Sequence, residues 1–412
     1  MNAMPLKAAD YDPFSKEVMA NPLPFYAALR KDSPIHYLPQ YDTFAISRFQ
    51  DIIDILSLGD NAFVSGVDST LPNPERLLRH NEGKPDILPL EPSIPISTLL
   101  PSPHFEILRQ AHGKPFKPKA VLEMADLLRR LANERLDALL PRKSFDLTQE
   151  YGGIVAASGI CHLLDIPLSN AGQILELVNK LSQTDPEKGG NDIAQTIGNC
   201  VAVMLPAVAA RRKAGADGSV PFIDGLINLD YYGRPLTDEE VAVQLVCVFV
   251  GGTETVPKIT AHGLMELNNR PEQMAAVRAD LDTNLPVAIE EMIRFCAPAQ
   301  WFCRTAHRDI DFKGQKIRAG QRIIVIFGSA GRDPDEFDRP DDFIWNRKIE
   351  RVLSFGFGQH FCIGIHLARL EMRILTAEFL KRVPSFSFDM DKSIRLPSSF
   401  QWGWNSLTVN ID

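Results

Sequence analysis

Phe355-Gly356-Phe357-Gly358-Gln359-His360-Phe361-Cys362-Ile363-Gly364 is the stretch on which the reading of this chain turns. Its glycines let a loop fold tightly and pass close to a flat ligand, because glycine has no Cβ to obstruct the approach. The spacing puts Cys362 at the start of a helix predicted to run to about residue 383. Ile363, Leu367, Leu370 and Ile374 lie on one face of that helix, and Pro384 ends it. Free N–H groups and the positive end of the helix dipole favour a thiolate at such a place. Taken alone, the stretch has two readings: an activated sulfur, or a buried free cysteine after a turn. The glycines make no dinucleotide fingerprint, since Phe361 stands where G-x-G-x-x-G needs glycine. A cysteine nucleophile lacks an obvious base, because His360 and His366 serve equally well as structural histidines.

The 412 residues are 45% hydrophobic and 23% charged, enough apolar material for a large core. No Gly/Ser linker, charge block or low-complexity stretch divides them, which predicts a single domain over 1–412. The net charge of −8 argues against a nucleic-acid partner, which calls for a basic patch. The longest apolar run, residues 241–252, is interrupted by Gln244 and falls short of the roughly 18 residues that span a bilayer. The first residues, from Met1 to Lys7, show no signal core or membrane anchor, so a soluble, cytoplasmic protein is expected. None of the six cysteines forms a Cys-x-x-Cys pair, and no disulfide scaffold is expected.

The pattern along the chain is mainly helical with a minor β portion. Strand-like alternation marks Ile35–Leu38 and Thr43–Ile46, then Ile310–Phe312, 316–317 and 322–327. Residues 66–103 are rich in proline, a long irregular segment of the kind that covers a site. Residues 104 to about 215 read as helix. Thr237-x-x-Glu240 is a capping box opening a helix that continues to Asn269, apolar on all sides and therefore a core helix. Gly251-Gly252 and Pro257 in its middle predict a kink or bulge where something approaches the backbone. Another helix is predicted to open with Pro286 in its first turn and to carry Glu290-Glu291-Met292-Ile293-Arg294.

These motifs together resemble the cytochromes P450. The heme-binding loop of that family reads Phe-x-x-Gly-x-His/Arg-x-Cys-x-Gly, and Phe355, Gly358, His360, Cys362 and Gly364 match all five fixed places. Glu291-x-x-Arg294 matches its helix motif, whose pair locks the fold on the proximal side. Gly251-Gly252-Thr253-Glu254-Thr255 fits its Ala/Gly-Gly-x-Asp/Glu-Thr pattern. Arg332-Asp333-Pro334-x-x-Phe337 and the N-terminal Asp12-Pro13-Phe14 with Tyr26-x-x-Leu29-Arg30 are weaker matches, so the likeness runs along the whole chain in order. The departures are Val352 for a frequent His, Gly331 for a frequent Asn, and one extra residue between His104 and Arg109, which puts Phe105 at the usual His place.

The resemblance implies a single P450 domain, with heme b bound through Cys362 and its propionates met by Arg109, Arg304, His360 and His104. A thiolate ligand favours O–O cleavage, and the resemblance gives Thr255 and Glu254 the proton handling. It implies a monooxygenase using O2 and a small, largely hydrophobic substrate lined by Cys247, Val250, Gly251, Gln300 and Phe302. Arg76, Arg79, His80 and Lys84 are further candidates for substrate contact. Electrons would come from a separate iron–sulfur ferredoxin with its reductase, docked on Arg109, Lys114, Lys117, Lys119, Arg129 and Arg130. A peroxygenase, an isomerase or dehydratase on the same fold, and a heme-based gas sensor or carrier are the alternatives.

Overall fold

The computed structural model describes residues 6–66, 90, 93–183 and 193–411. Among them helix predominates and strands form small sheets, as the sequence pattern predicts. Six helices frame the region around Cys362: α1 (His104–His112), α2 (Ala171–Ser182), α3 (Asp238–Thr253), α4 (Thr255–Asn268), α5 (Leu281–Phe295) and α6 (Ile365–Arg382). Leu245 and Phe249 of α3, Leu264 of α4, Met292 of α5 and Leu375 of α6 belong to one buried apolar cluster. Adjacent helices share it, so the site is carried on a packed scaffold rather than on free loops.

The capping box at Thr237 is present in full. Thr237 Oγ1 accepts from the Glu240 N–H at 3.2 Å, and a Glu240 carboxylate oxygen accepts from the Thr237 N–H at 2.9 Å. The helix predicted through Asn269 is in fact two, α3 and α4, broken at Glu254 (φ −118°, ψ −20°). Pro257 explains the position of the break. Its ring excludes the Thr253 carbonyl four residues back and supplies no N–H to it, so the distortion falls one turn before the proline. The stretch Asp238–Asn268 has the length and composition of a membrane span, yet 67% of its most apolar window is buried inside the protein. That burial marks a core helix.

Two predicted helix starts are corrected. α5 begins at Leu281, not Pro286, because the Asp280 side chain accepts from the Asp282 and Thr283 N–H groups and caps the helix earlier. Pro286 sits inside and costs one hydrogen bond in the second turn. α6 begins at Ile365, so Cys362 lies three residues ahead of the helix in a loop of its own.

The largest sheet has five strands in the order β1-β2-β5-β4-β3, where β1 is Ile35–Leu38, β2 Thr43–Ile46, β3 Phe63–Val64, β4 Phe302–Ala306 and β5 Arg322–Val325. β4 pairs antiparallel with β3 and β5, Phe63 facing Ala306 and Ile323 facing Arg304. This register brings Arg304 and the residue after β3, Ser65, to the same end of the sheet.

Within α6, Glu371 is buried and its Oε1 has no hydrogen-bond partner among the described residues. Burial pushes its carboxyl well above the usual range. A raised carboxyl contributes its stability fully below the unfolded value and loses it as pH rises above that. Glu371→Gln should therefore gain stability over the parent at about pH 8 and little at about pH 4, by up to about 1.4 kcal/mol for each intervening pH unit. Urea midpoints across that range check the sign.

Candidate active site around Cys362

Gly356 and Gly358 take φ of +76° and +75°, values that a side chain strains to reach, and these two left-handed residues fold the loop back on itself. Gly356 N–H donates to the Leu353 carbonyl at 2.8 Å and Cys362 N–H to the Phe355 carbonyl at 2.9 Å. The second bond closes the loop and fixes the sulfur. Surrounding protein pushes the Cys362 thiol up, while the Gly364 N–H, Arg109 and Arg369 pull it down. The expected helix-dipole stabilisation is thus replaced by a loop N–H and two guanidinium groups, because the helix starts too late to act. Phe355 is half-buried beneath the Arg369 guanidinium, 5.1 Å from its ring centre.

Three basic side chains converge beside this loop. Arg109, from the last turn of α1, donates through Nη2 to the Phe361 carbonyl at 2.5 Å. Arg304 on β4 is buried and donates to the Cys303 carbonyl at 2.7 Å. His360 stacks on Phe105 with ring centres 4.1 Å apart, and its Nε2 lies 3.0 Å from Ser65 Oγ. Burial, then the charges of Arg304 and Arg109, hold His360 well below its ordinary value. Burial also lowers both arginines. Neither makes an ion pair among the described residues. Asp60 adds an attractive field at Arg304 but is engaged by the Ser102 N–H at 2.7 Å.

His104 does not join them. Its Nδ1 is 2.5 Å from the Tyr231 phenol oxygen Oη, and its ring sits beside Tyr231 and Tyr232. The extra residue in the His104-to-Arg109 spacing turns His104 to another face of α1 and gives Phe105 the place against His360. The expected propionate contact is corrected accordingly.

On α3 and α4, Cys247, Gly251 and Thr255 recur every four residues and share one helix face. The two adjacent glycines do different work. A Cβ on Gly252 would come within 2.7 Å of Ile160, so this glycine permits close packing, whereas a Cβ on Gly251 would meet nothing within 4 Å. Gly251 opens onto free space from within a core helix. Thr255 Oγ1 donates to the Gly251 carbonyl at 2.8 Å. Val250 is half-buried against the core. Phe302 is half-buried between Phe327 and Phe400, with ring centres 5.7 and 5.2 Å away. Gln300 does not line open space. Its amide donates to the Ala297 and Pro298 carbonyls at 2.8 and 3.1 Å, and its buried carbonyl end lies against Gly328. Its expected role in binding substrate is replaced by a turn-bracing one.

Glu254 also departs from expectation. Its carboxylate is buried and accepts from Lys258 Nζ at 2.6 Å, Ser182 Oγ at 2.7 Å and Gln401 Nε2 at 2.6 Å. Lys258 Nζ donates in addition to Gln401 Oε1 at 2.6 Å, and burial lowers its ammonium. Thr255 is on the open face; Glu254 is behind it, in a closed polar cluster. The i,i+4 spacing of Glu254 and Lys258 was visible in the sequence, whereas Ser182, Gln401 and Ser65 come from distant segments with no local signal.

Glu291 and Arg294 form a fully buried pair at 2.7 and 2.8 Å. Arg294 also donates to the carbonyls of Gly331, Pro340 and Asp342. A Cβ at Gly331 would lie 2.9 Å from the Arg294 carbonyl, which accounts for glycine in place of the frequent Asn. Of the expected basic docking residues, Lys114, Lys117 and Lys119 are exposed. Arg129 and Arg130 are taken up by Asp126 and Glu134 at 3.1 and 3.0 Å. Arg76, Arg79, His80 and Lys84 lie outside the described residues.

The fit to a heme can be judged from this geometry. A loop-held thiol adjoins three basic groups that crowd one another, and an iron porphyrin brings one metal for the sulfur and two carboxylates for the cations. The residues fit the group.

Comparison with known proteins agrees. Residues 104–410 match the family model "Cytochrome P450". The chain is 26% identical over 405 residues to putative cytochrome P450 123 of Mycobacterium tuberculosis, covering 97% of this chain and 96% of that protein. It is 30% identical over 328 residues to the steroid C26-monooxygenase of Mycolicibacterium smegmatis, covering 78% and 81%. The crystal structure of CYP109E1 from Bacillus megaterium in complex with testosterone superposes with a TM-score of 0.83 at 22% identity, covering 97% of this chain and all of that one. With a loop-held thiol, a cationic cluster and a match over most of its length, this chain belongs to the cytochrome P450 family of heme-thiolate oxidoreductases.

Proposed function

We propose that the protein is a dioxygen-dependent monooxygenase whose heme iron is held by Cys362, and that it hydroxylates a hydrophobic substrate with electrons from a separate ferredoxin. The observation that carries this reading is the cluster of Arg109, Arg304 and His360 beside the Cys362 loop, in which neither arginine has an ion-pair partner among the described residues. Bound there, a heme supplies dioxygen activation, and its thiolate ligand favours O–O cleavage. Arg109 and Arg304 orient the group through its carboxylates, and Ser65 fixes the His360 ring through Nε2.

Thr255 holds a proton at Oγ1, given to the Gly251 carbonyl until a stronger acceptor enters the space that Gly251 leaves open. Glu254 stands behind it as the second proton carrier. Its oxygens accept from Lys258, Ser182 and Gln401, and one of these donors must be released before Glu254 can take up a proton and pass it toward the open space. An acid–alcohol pair supports dioxygen as oxidant over peroxide supplied from outside.

Cys247 shares the face of Gly251 and Thr255, and we read the half-buried Val250 and Phe302 as completing a mostly apolar lining there; among the relatives are a steroid C26-monooxygenase and a methyl-branched lipid omega-hydroxylase. Both kinds of molecule are hydrophobic, which supports a steroid-like or lipid-like substrate here. Exposed Lys114, Lys117 and Lys119, next to a recess lined by Leu122, His366, Arg373 and the paired Arg369 and Glu290, support docking of an acidic ferredoxin. We read the whole chain as one cytoplasmic catalytic domain.

The test is NADH consumption coupled to a hydroxylated product, with ferredoxin and its reductase supplied, over a steroid and branched-lipid panel. Turnover at the same rate with peroxide alone would replace this reading with a peroxygenase. Thr255→Ala should keep heme and substrate binding yet divert most of the NADH consumed to hydrogen peroxide. Titrating peroxide against product measures the split, and an unchanged ratio would remove Thr255 from the proton path.

A further inference from the structure

Glu254, Lys258, His262, Glu266 and Arg270 recur every four residues, from the break between α3 and α4 to the turn just beyond α4. That spacing sets them in one row along the helix. The inner end of the row is dry, the side chains of Lys258 and Glu254 being 0% and 1% exposed. The outer end is wet: the side chains of Glu266 and Arg270 are 13% and 32% exposed and pair at 2.6 Å. His262 stands between, with Nε2 3.3 Å from Glu266 and a buried Nδ1 that has no partner among the described residues.

A buried ion pair is a weak way to fasten a core. Each ion loses several kcal/mol of hydration, and an apolar pair of similar size is often as stable or more so. What the Glu254–Lys258 pair has instead is a proton that either partner can own. Lys258 Nζ lies 2.6 Å from Glu254 Oε2, and moving one proton along that bond turns two buried charges into two neutral groups. Burial already lowers the Lys258 ammonium. Gln401 braces both partners, its Oε1 accepting from Lys258 and its Nε2 donating to Glu254 Oε1, each at 2.6 Å. Two of the three Lys258 N–H groups are thus placed among the described residues, and the third is left over.

We propose that Lys258 is the immediate proton donor to Glu254 during turnover. One Nζ–H bond breaks and one Oε2–H bond forms, leaving a neutral amine and a carboxylic acid, with no change of oxidation state. This is the release that the closed cluster requires, because the ammonium that held the carboxylate becomes a neutral amine. The acid passes its proton toward the open face. The amine regains one from solvent by way of the outer row, where Glu266 and Arg270 reach the surface. The proposal rests on the reading of Glu254 as the second proton carrier. Lys258 touches Glu254 and not the reacting atoms, so it is a positioning residue.

Lys258→Arg is the decisive variant, since a guanidinium keeps the charge and the pairing with Glu254 but gives up no proton. The assay uses the full chain loaded with heme, ferredoxin and its reductase, and testosterone and a methyl-branched fatty acid as probes. Product formation should fall roughly 100-fold with KM unchanged. The NADH consumed should go to hydrogen peroxide, and the solvent isotope effect on product formation should rise. A second readout needs no turnover. The infrared difference between the parent and Glu254→Gln holoproteins should contain an acid C=O band, from the form in which Glu254 owns the shared proton. In the Lys258→Arg background the same difference should contain carboxylate bands only. If Lys258→Arg takes up no heme, the first difference carries the test by itself. Parental coupling of NADH to product in heme-loaded Lys258→Arg, or carboxylate bands alone in the parent difference, would overturn the proposal. A Glu254→Gln protein as well coupled as the parent would instead overturn the reading of Glu254 as a proton carrier.

Discussion

Cys362→Ser loses the thiolate signature of the reduced carbonyl complex and, with it, hydroxylation. A serine oxygen fits the loop, because the Cys362 N–H bond to the Phe355 carbonyl and the two left-handed glycines do not depend on the side chain. Folding and heme uptake should therefore survive in part, helped by Arg109, Arg304 and His360. What is lost is the soft, electron-rich donor that favours O–O cleavage. The fall in product formation should exceed the roughly 100-fold that follows loss of a residue merely supporting a metal ligand. Absorbance of the reduced carbonyl complex, with product formation under supplied electrons, is the measurement. An unaltered spectrum would disprove the assignment of Cys362 as the ligand. Cys362→His is a useful companion, since imidazole binds iron without the thiolate's electron donation.

What the sequence made legible follows the range of the interactions concerned. The loop glycines, the Thr237 capping box and the Glu291/Arg294 spacing are local signals, and each appears in the structure where the pattern puts it. Helix boundaries were less legible because they are settled by competition. Asp280 caps α5 ahead of Pro286, and Pro257 shifts the break to Glu254. Side-chain roles were least legible, since each depends on the folded positions of its partners, which no local pattern encodes. Glu254 was assigned from its neighbour Thr255, but its partners include Ser182 and Gln401. Sequence position puts Gln300 in the pocket lining, whereas the Ala297 and Pro298 carbonyls hold its amide. His104 was separated from the heme side by one residue of helical phase.

The same dependence on distant partners makes Glu291 the most costly residue to remove outside the loop. Its carboxylate accepts from Arg294 at 2.7 and 2.8 Å, from Arg347 at 3.1 and 3.2 Å, and from the Ile344 N–H at 2.8 Å. Arg294 carries the connection on to the carbonyls of Gly331, Pro340 and Asp342. One acid thus binds α5 to the segment of 331–347 that precedes the Cys362 loop. Glu291→Ala leaves two guanidinium groups buried without their counter-ion, a change that costs about 3–5 kcal/mol. That is a large share of the roughly 5–15 kcal/mol of a folded protein, so the variant should lose heme as well as stability. Arg294→Lys should rescue little, because an ammonium cannot span a carboxylate and three carbonyls at once. Glu291→Gln, which keeps the shape and drops the charge, should fall between the parent and Glu291→Ala. Heme-to-protein ratio and urea midpoint for the three variants test the ordering. A Glu291→Ala protein with full heme content and a parental midpoint would show that the pair is not what fixes this side of the site.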